Sequence, residues 1–237
     1  MKRTLSIGLP IALAILAVGF YQAMYVAPTE ATMGDIQRIF YYHVPSNIMG
    51  LLFPYANFVA SIVYLLTRRS NPLRAQAADA FAVASAEMTL VFLTIGLATG
   101  MLWARPVWGI WWTWDARLTS CLVLWLIYVS YLLLRRFTAG GQTQTLAAVL
   151  SIFAAVDVPI VYMSIRWWRT QHPSPVFFGG PDSGIDPHMK PAFYLNLLGW
   201  FVWGVVLVTL RYKLERKRQT LEQDLALEAL EASLERR

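Results

Sequence analysis

Half of the tryptophans in this chain lie close together in one stretch. The chain has ten tryptophans, and five of them fall within twelve residues, at Trp103, Trp108, Trp111, Trp112 and Trp114. Indole rings offer large apolar faces with few rotatable bonds, so this cluster suits a large, flat, conjugated ligand such as haem or a quinone. An aromatic belt would normally decorate both surfaces of a membrane. Because Trp167 and Trp168 fall on the same predicted side and the opposite connections have none, we favour a binding platform.

The three histidines of the chain fall on the side predicted for the tryptophans. His43 comes just before one apolar run, His172 just after another, and His188 lies further along the same connection as His172. Neutral imidazole is a common axial ligand of haem iron, and cationic side chains suit the haem propionates. His43 and His172 are placed to face each other, while His188 remains a rival ligand. The cations predicted on this side are Arg38, Arg105, Arg117, Arg166, Arg169 and Lys190.

The composition excludes an ordinary soluble domain. Hydrophobic residues make up 57% of the 237 residues and charged residues only 14%, with a mean hydropathy of +0.47. Six apolar runs are long enough to cross a bilayer, at residues 5–26, 44–67, 81–103, 118–134, 146–167 and 192–210. No histidine lies inside these runs, which argues against a cytochrome b with histidine pairs within the bilayer. The sequence therefore predicts an all-α integral membrane protein, a six-transmembrane-helix bundle.

The distribution of positive charge predicts how the chain is oriented. Fourteen Lys and Arg residues fall on the side of the two termini and six on the other side. The positive-inside rule therefore predicts that both termini are cytoplasmic, and it explains the net charge of +6 better than binding to nucleic acid does. The outward connections are then residues 27–43, 104–117 and 168–191. Residues 1–210 form the predicted membrane domain, and residues 211–237 an amphipathic, charged cytoplasmic tail. The single cysteine, Cys121, excludes an internal disulfide.

Residues 108–120 read WGIWWTWDARLTS and carry a resemblance to a known family. The string closely resembles the WWD signature of the haem-handling proteins of cytochrome c biogenesis. The Tyr-His-Val-Pro context of His43 and the Val-Pro-Ile of residues 158–160, followed by Trp167, Trp168 and His172, resemble the haem exporter protein C family of the cytochrome c maturation system. The resemblance covers about residues 5 to 210.

This resemblance implies a haem transfer protein, not an enzyme. It implies that haem b is held non-covalently and transiently at the periplasmic face of the bacterial inner membrane, on a WWD loop at about residues 103–120. Carried over residue by residue, the axial ligands are His43 and His172. The implied partners, besides membrane lipid, are the periplasmic haem chaperone called the E protein, the ABC transporter of the A and B proteins, and the small D protein. A membrane quinone or haem oxidoreductase subunit is the alternative.

The residues predicted to contact haem come from the loop and its flanks. They are Arg105, Trp108, Gly109, Trp111, Trp112, Trp114, Asp115 and Arg117. The tryptophans would stack on or wall the macrocycle, and the glycine permits a tight backbone path. Either arginine could neutralise a propionate, as could Arg166 or Arg169. The aspartate would repel a propionate, so we expect it to cap the fourth helix or to hold an arginine.

Two acidic residues fall within predicted spans. Glu87 and Asp157 would each cost about 2.5–3.5 kcal/mol at the bilayer centre, so we expect both to face the bundle interior or a polar cavity. No basic residue is predicted at their depth. A hydrogen bond that holds the bundle together is favoured over a path for protons or ligand.

Overall fold

The computed structural model describes residues 4–138, 142–178 and 184–235, which fold into helices without a β-strand among them. The long helices are α1 Leu9–Tyr21, α2 Phe40–Thr67, α3 Pro72–Trp108, α4 Ala116–Phe137, α5 Thr143–Trp167 and α6 Lys190–Glu235. Short π-helical turns extend α1 to cover Leu5–Val26, and a 3₁₀ turn at Asp35–Ile39 leads into α2. All six segments are long and apolar enough to cross a membrane, which confirms the predicted number of spans.

Several helices run beyond the apolar runs that predicted them. In α3, the side chain of Asn71 accepts a hydrogen bond from the backbone N–H of Arg74 at 3.0 Å, and Pro72 occupies the first turn. This cap starts the helix nine residues before the predicted span, because helix formation depends on capping and not on hydropathy. At the other end, α3 continues to Trp108, so the predicted outward loop of residues 104–117 is wrong in extent. The connection between α3 and α4 consists of residues 109–115 only.

The predicted last span and the predicted tail form one helix. Residues 211–235 contain no glycine or proline and are rich in Leu, Glu, Lys, Arg and Gln, which are good helix formers, so nothing ends α6 at the end of the apolar run. The first turns after residue 210 pack against the bundle, where Glu215 is fully buried. The leucines from Leu221 onward are exposed.

Helix α3 is the centre of the bundle. It packs against α2 and α6 on one side, around Phe53 and Phe92, and against α4 on the other, around Leu93 and Tyr128, while α5 packs against α2 and α4. Small residues allow the close approach: a Cβ at Gly204 would lie 2.9 Å from the ring of Phe53. Such positions are typical of helix packing in membranes.

Charged residues tie the helices together at one end of the bundle, which we call the basic end. Asp79 of α3 accepts two hydrogen bonds from Arg135 of α4, at 2.7 and 2.8 Å. Arg211 of α6 pairs with Glu87, with Nε 2.5 Å from Oε2, and with Glu215 at 3.2 Å. The expectation that no basic residue shares the depth of Glu87 is therefore wrong, because α6 places Arg211 in contact with Glu87. Asp157 is half-buried, and its Oδ2 has no hydrogen-bond partner among the described residues.

Candidate functional site

The loop between α3 and α4 is fixed at both of its ends. Gly109 ends α3 with a φ of +77°, a conformation that favours glycine, and its carbonyl accepts a hydrogen bond from the guanidinium of Arg105. Asp115 caps α4, as expected, because its Oδ1 accepts from the backbone N–H of Leu118 at 2.8 Å. Its Oδ2 accepts from the hydroxyl of Thr170 at 2.6 Å. The loop is thereby tied to the connection that carries His172.

Several tryptophans of this end of the bundle, which we call the tryptophan end, remain open to a ligand. Trp114 is 75% exposed, and Trp111, Trp167 and Trp168 are each more than half exposed. Trp112 packs edge-on against Trp114, with ring centroids 5.6 Å apart. Trp108, on the last turn of α3, is half-buried. The exposed indoles supply apolar surface of the kind that a flat conjugated ligand would cover.

His43 lies in the first turn of α2, not in the connection before it, and its side chain is oriented by α3. Its Nδ1 lies 3.0 Å from Oγ1 of Thr99. That hydroxyl already donates to the carbonyl of Ile95 at 2.6 Å, so its oxygen accepts the proton of Nδ1. The Nε2 atom therefore keeps its lone pair. The side-chain nitrogen of Asn47 is almost equally distant from both ring nitrogens, 3.4 and 3.3 Å, which places it against the ring face and outside the plane of that lone pair.

His172 has the same proton arrangement on its imidazole. Its Nδ1 lies 3.0 Å from the carbonyl oxygen of Pro173, which can only accept, so Nδ1 carries the proton and Nε2 is free. Burial, together with the nearby charge of Arg117, lowers the pKa of His172 to about 4. The imidazole is therefore neutral at pH 7, the state required of a metal ligand.

The two imidazoles and one arginine form the centre of the site. His43 and His172 lie close enough to repel each other when protonated, and the guanidinium of Arg117 acts on both. Arg117 is held by a hydrogen bond from its Nη1 to the carbonyl of Val161, at 2.5 Å. The described residues contain no group of three or more metal-ligating side chains. Two neutral imidazoles suit the axial positions of a metal that brings its other ligands with it, as haem iron does.

The other predicted candidates lie apart from this centre. The side chain of His188 is 82% exposed, and its Nδ1 lies 3.1 Å from Asp186. Arg166 stacks over the ring of Tyr162 at 5.8 Å, and Arg105 is bound to the loop backbone. Among the arginines considered for a propionate, Arg117 is the one that interacts with both His43 and His172.

Comparison with known proteins shows the family of this chain. The family model described as "Heme exporter protein C", CcmC, matches residues 1–226. This chain belongs to the haem exporter protein C family. It is 32% identical over 208 residues to the heme exporter protein C of Escherichia coli K12, covering 87% of this chain and 79% of that protein. It is 33% identical over 222 residues to the heme exporter protein C of Bradyrhizobium diazoefficiens, covering 92% and 80%.

The chain is also similar to a protein of a plant mitochondrion. A putative ccmC-like mitochondrial protein of cytochrome c biosynthesis from Marchantia polymorpha is 33% identical over 193 residues, which cover 81% of this chain and 79% of that protein. The family description names an exporter and not an enzyme. Together with six helices able to cross a membrane, it makes the chain a multi-pass membrane protein.

In this member of the haem exporter protein C family, the structure shows supporting contacts of His43 that the sequence does not predict. Thr99 and Trp103 lie one turn apart on α3 and both contact His43, the tryptophan edge-on at 5.6 Å. A Cβ at Gly100 would lie 3.1 Å from Cε1 of His43, so the absence of a side chain there admits the ring. Helical spacing links Thr99 and Trp103 to each other, but only the packing of α2 on α3 brings them to His43.

Proposed function

We propose that this protein binds haem at the tryptophan end of the bundle and delivers it for the maturation of c-type cytochromes. The observation that carries the proposal is the pair of imidazoles, His43 and His172, which come from different parts of the chain and each make a hydrogen bond through Nδ1, leaving Nε2 for a metal. The names of the relatives, which are haem exporters and a cytochrome c biosynthesis protein, support it.

Each part of the site has a task in holding haem b without a covalent bond. His43 and His172 ligate the iron through Nε2, and their Nδ1 protons, given to Thr99 and to the Pro173 carbonyl, fix the tautomer and the ring orientation. The WWD loop supplies apolar surface for the macrocycle. Arg117 keeps further N–H donors beyond the one given to Val161, and these can meet a propionate.

The same proposal includes the location of the site in the cell and its partner proteins. The excess of Lys and Arg at the basic end supports an orientation in the bacterial inner membrane with both termini in the cytoplasm and the tryptophan end in the periplasm. The acceptor is then the periplasmic haem chaperone, the E protein of the maturation system. The A and B proteins of the ABC transporter and the small D protein complete the set of partners.

Absorption spectra of the purified protein test whether it binds haem in this way. We expect protein from cells with ample haem to show a Soret band and, on reduction, the sharp bands of low-spin, bis-histidine iron. Haem added to the apo-protein should produce the same spectrum with one haem per chain. A protein that takes up no haem, even when purified with the chaperone and transporter proteins, would contradict the proposal.

Replacement of Trp114 tests the role of the loop in delivery. Trp114 is 75% exposed and caps no helix, so Trp114→Ala should leave membrane insertion and folding unchanged. Exposed tryptophans that anchor a contact commonly contribute 2 kcal/mol or more, so we expect haem loading of the chaperone to fall at least about tenfold. Tyr25→Ala, which removes an equally exposed ring from the end of α1, is the control and should load normally. Normal loading by Trp114→Ala would show that Trp114 is only a member of the interfacial aromatic belt.

A further inference from the structure

An apolar groove opens on the lipid-facing side of the bundle, far from the tryptophan end. It has a volume of about 700 Å³ and is lined by α2, α3 and α6. On α2 it extends from Leu52 to Val63, eleven helical rises or about 16 Å, which is about one leaflet of a hydrocarbon core about 30 Å thick. The groove therefore covers the half of the membrane next to the basic end.

Aromatic rings form one wall of this groove, and Arg74 lines it at the end nearest the basic end. The ring of Phe81 on α3 packs edge-on against Tyr212 on α6, with centroids 6.2 Å apart. Arg74 lines the groove and lies two turns before Phe81, on the same face of α3. Arg216 lies one turn after Tyr212, on the same face of α6. Both residues thus lie on the basic-end side of the aromatic pair.

Neither of these arginines has an ion-pair partner among the described residues. Elsewhere at the basic end, Arg135 is paired with Asp79, Arg211 with Glu87 and Glu215, and Arg218 with Glu215. In the described parts of the chain, the side chain of Arg74 makes no ion pair, and Nη1 of Arg216 is buried without a hydrogen-bond acceptor. A buried guanidinium nitrogen without an acceptor is costly, so a ligand that supplies anionic oxygens would be stabilised there.

We propose that this groove binds an anionic phospholipid from the leaflet at the basic end. One acyl chain lies along Leu52, Ala56 and Val63, and the phosphate accepts hydrogen bonds from Arg74 and Arg216. Basic pockets between transmembrane helices are known to hold anionic headgroups, and the length of the groove matches a chain that reaches the bilayer midplane. An apolar helix of a partner would fill the groove but leave both arginines unpaired. This site is independent of the proposed haem site.

Native mass spectrometry of the full chain, released from nanodiscs, tests this site. In nanodiscs of equal phosphatidylglycerol and phosphatidylcholine, we expect one phosphatidylglycerol to stay bound after the other lipids are removed. A cation near the membrane surface contributes a factor of about five to anionic lipid binding, so Arg74→Gln and Arg216→Gln should each reduce retention about fivefold. Arg136→Gln removes an arginine of the same end that lies over Phe137, outside the groove, and should retain the lipid.

Three results would overturn the lipid site. Equal retention of the two lipids would show that the arginines do not select a phosphate. Loss of lipid in Arg136→Gln to the same degree as in Arg216→Gln would show a general charge effect. Displacement of the phosphatidylglycerol by one equivalent of added haem would assign the groove to haem.

A fourth variant, Ala56→Trp, fills the groove while keeping both arginines and should also lose the lipid. The haem spectrum verifies that each variant is folded.

Discussion

His43→Ala and His172→Ala should each abolish the low-spin haem spectrum of the purified protein. Each change removes one of two imidazoles that present a free Nε2 to the same centre. Residues that only orient a metal ligand commonly change metal affinity 10–100-fold, so loss of the ligand itself should cost more than about 100-fold. The measurement is a titration of apo-protein with haem, followed at the Soret band, together with the content of haem after purification.

Controls within the same chain distinguish ligation from general damage. His188→Ala removes an exposed imidazole that contacts Asp186 and should bind haem normally. Added imidazole should restore a low-spin spectrum to His43→Ala and His172→Ala, because it can occupy the vacated axial position. If His188→Ala lost the haem signal and His172→Ala kept it, the assignment of His172 would be wrong.

The hydrogen bond behind His43 should have an intermediate effect on the same titration. Thr99→Val keeps the shape of the side chain but leaves the Nδ1 proton of His43 without its acceptor, so a loss of about 10–100-fold in haem affinity is expected. Thr99→Ser retains the hydroxyl and should bind haem nearly as well as the unchanged protein. Equal loss in both variants would show that Thr99 acts through packing alone.

The number and approximate place of the membrane spans were predictable because hydropathy reports burial in lipid directly. The helices that carry five of the six spans nevertheless extend beyond the predicted apolar runs. Trp108 continues α3 because the helix ends only where Gly109 adopts a positive φ. Arg211 was predicted in a cytoplasmic tail, but α6 is continuous there and places it against Glu87. Caps and pairs between helices depend on tertiary contacts, which the apolar pattern of a single segment does not contain.

The residues of the candidate site were partly visible in the sequence. Tryptophan clustering and the three histidines predicted that the site lies at the tryptophan end, and the cap formed by Asp115 followed from its position before an apolar run. The sequence did not show which arginine lies nearest the two histidines, because only the packing of α4 against α5 brings Arg117 to the carbonyl of Val161. No sequence feature explains Asp157, whose Oδ2 has no hydrogen-bond partner among the described residues.

Asp79→Ala should produce the largest loss of stability among single changes at the basic end. Asp79 and Arg135 are 6% and 11% exposed at their side chains and form two parallel hydrogen bonds between α3 and α4. Removal of one partner leaves a buried charge uncompensated, which commonly costs 3–5 kcal/mol, so the free energy of unfolding should fall by about that amount. Denaturant titration of the protein in detergent, followed by far-ultraviolet circular dichroism, measures the change.

The double variant Asp79→Leu/Arg135→Met separates the pair's contribution to stability from its effect on the rest of the bundle. Replacement of both charges by apolar residues removes the desolvation cost along with the attraction, so we expect the double variant to be more stable than Asp79→Ala. Glu87→Ala should cost less than Asp79→Ala, because the Glu87–Arg211 pair is about one quarter exposed and Arg211 keeps Glu215. A double variant as unstable as Asp79→Ala would mean that Asp79 stabilises the bundle through Gln219, its other partner, at 3.1 Å. Because these contacts lie at the opposite end from His43 and His172, the folded double variant should bind haem with unchanged affinity.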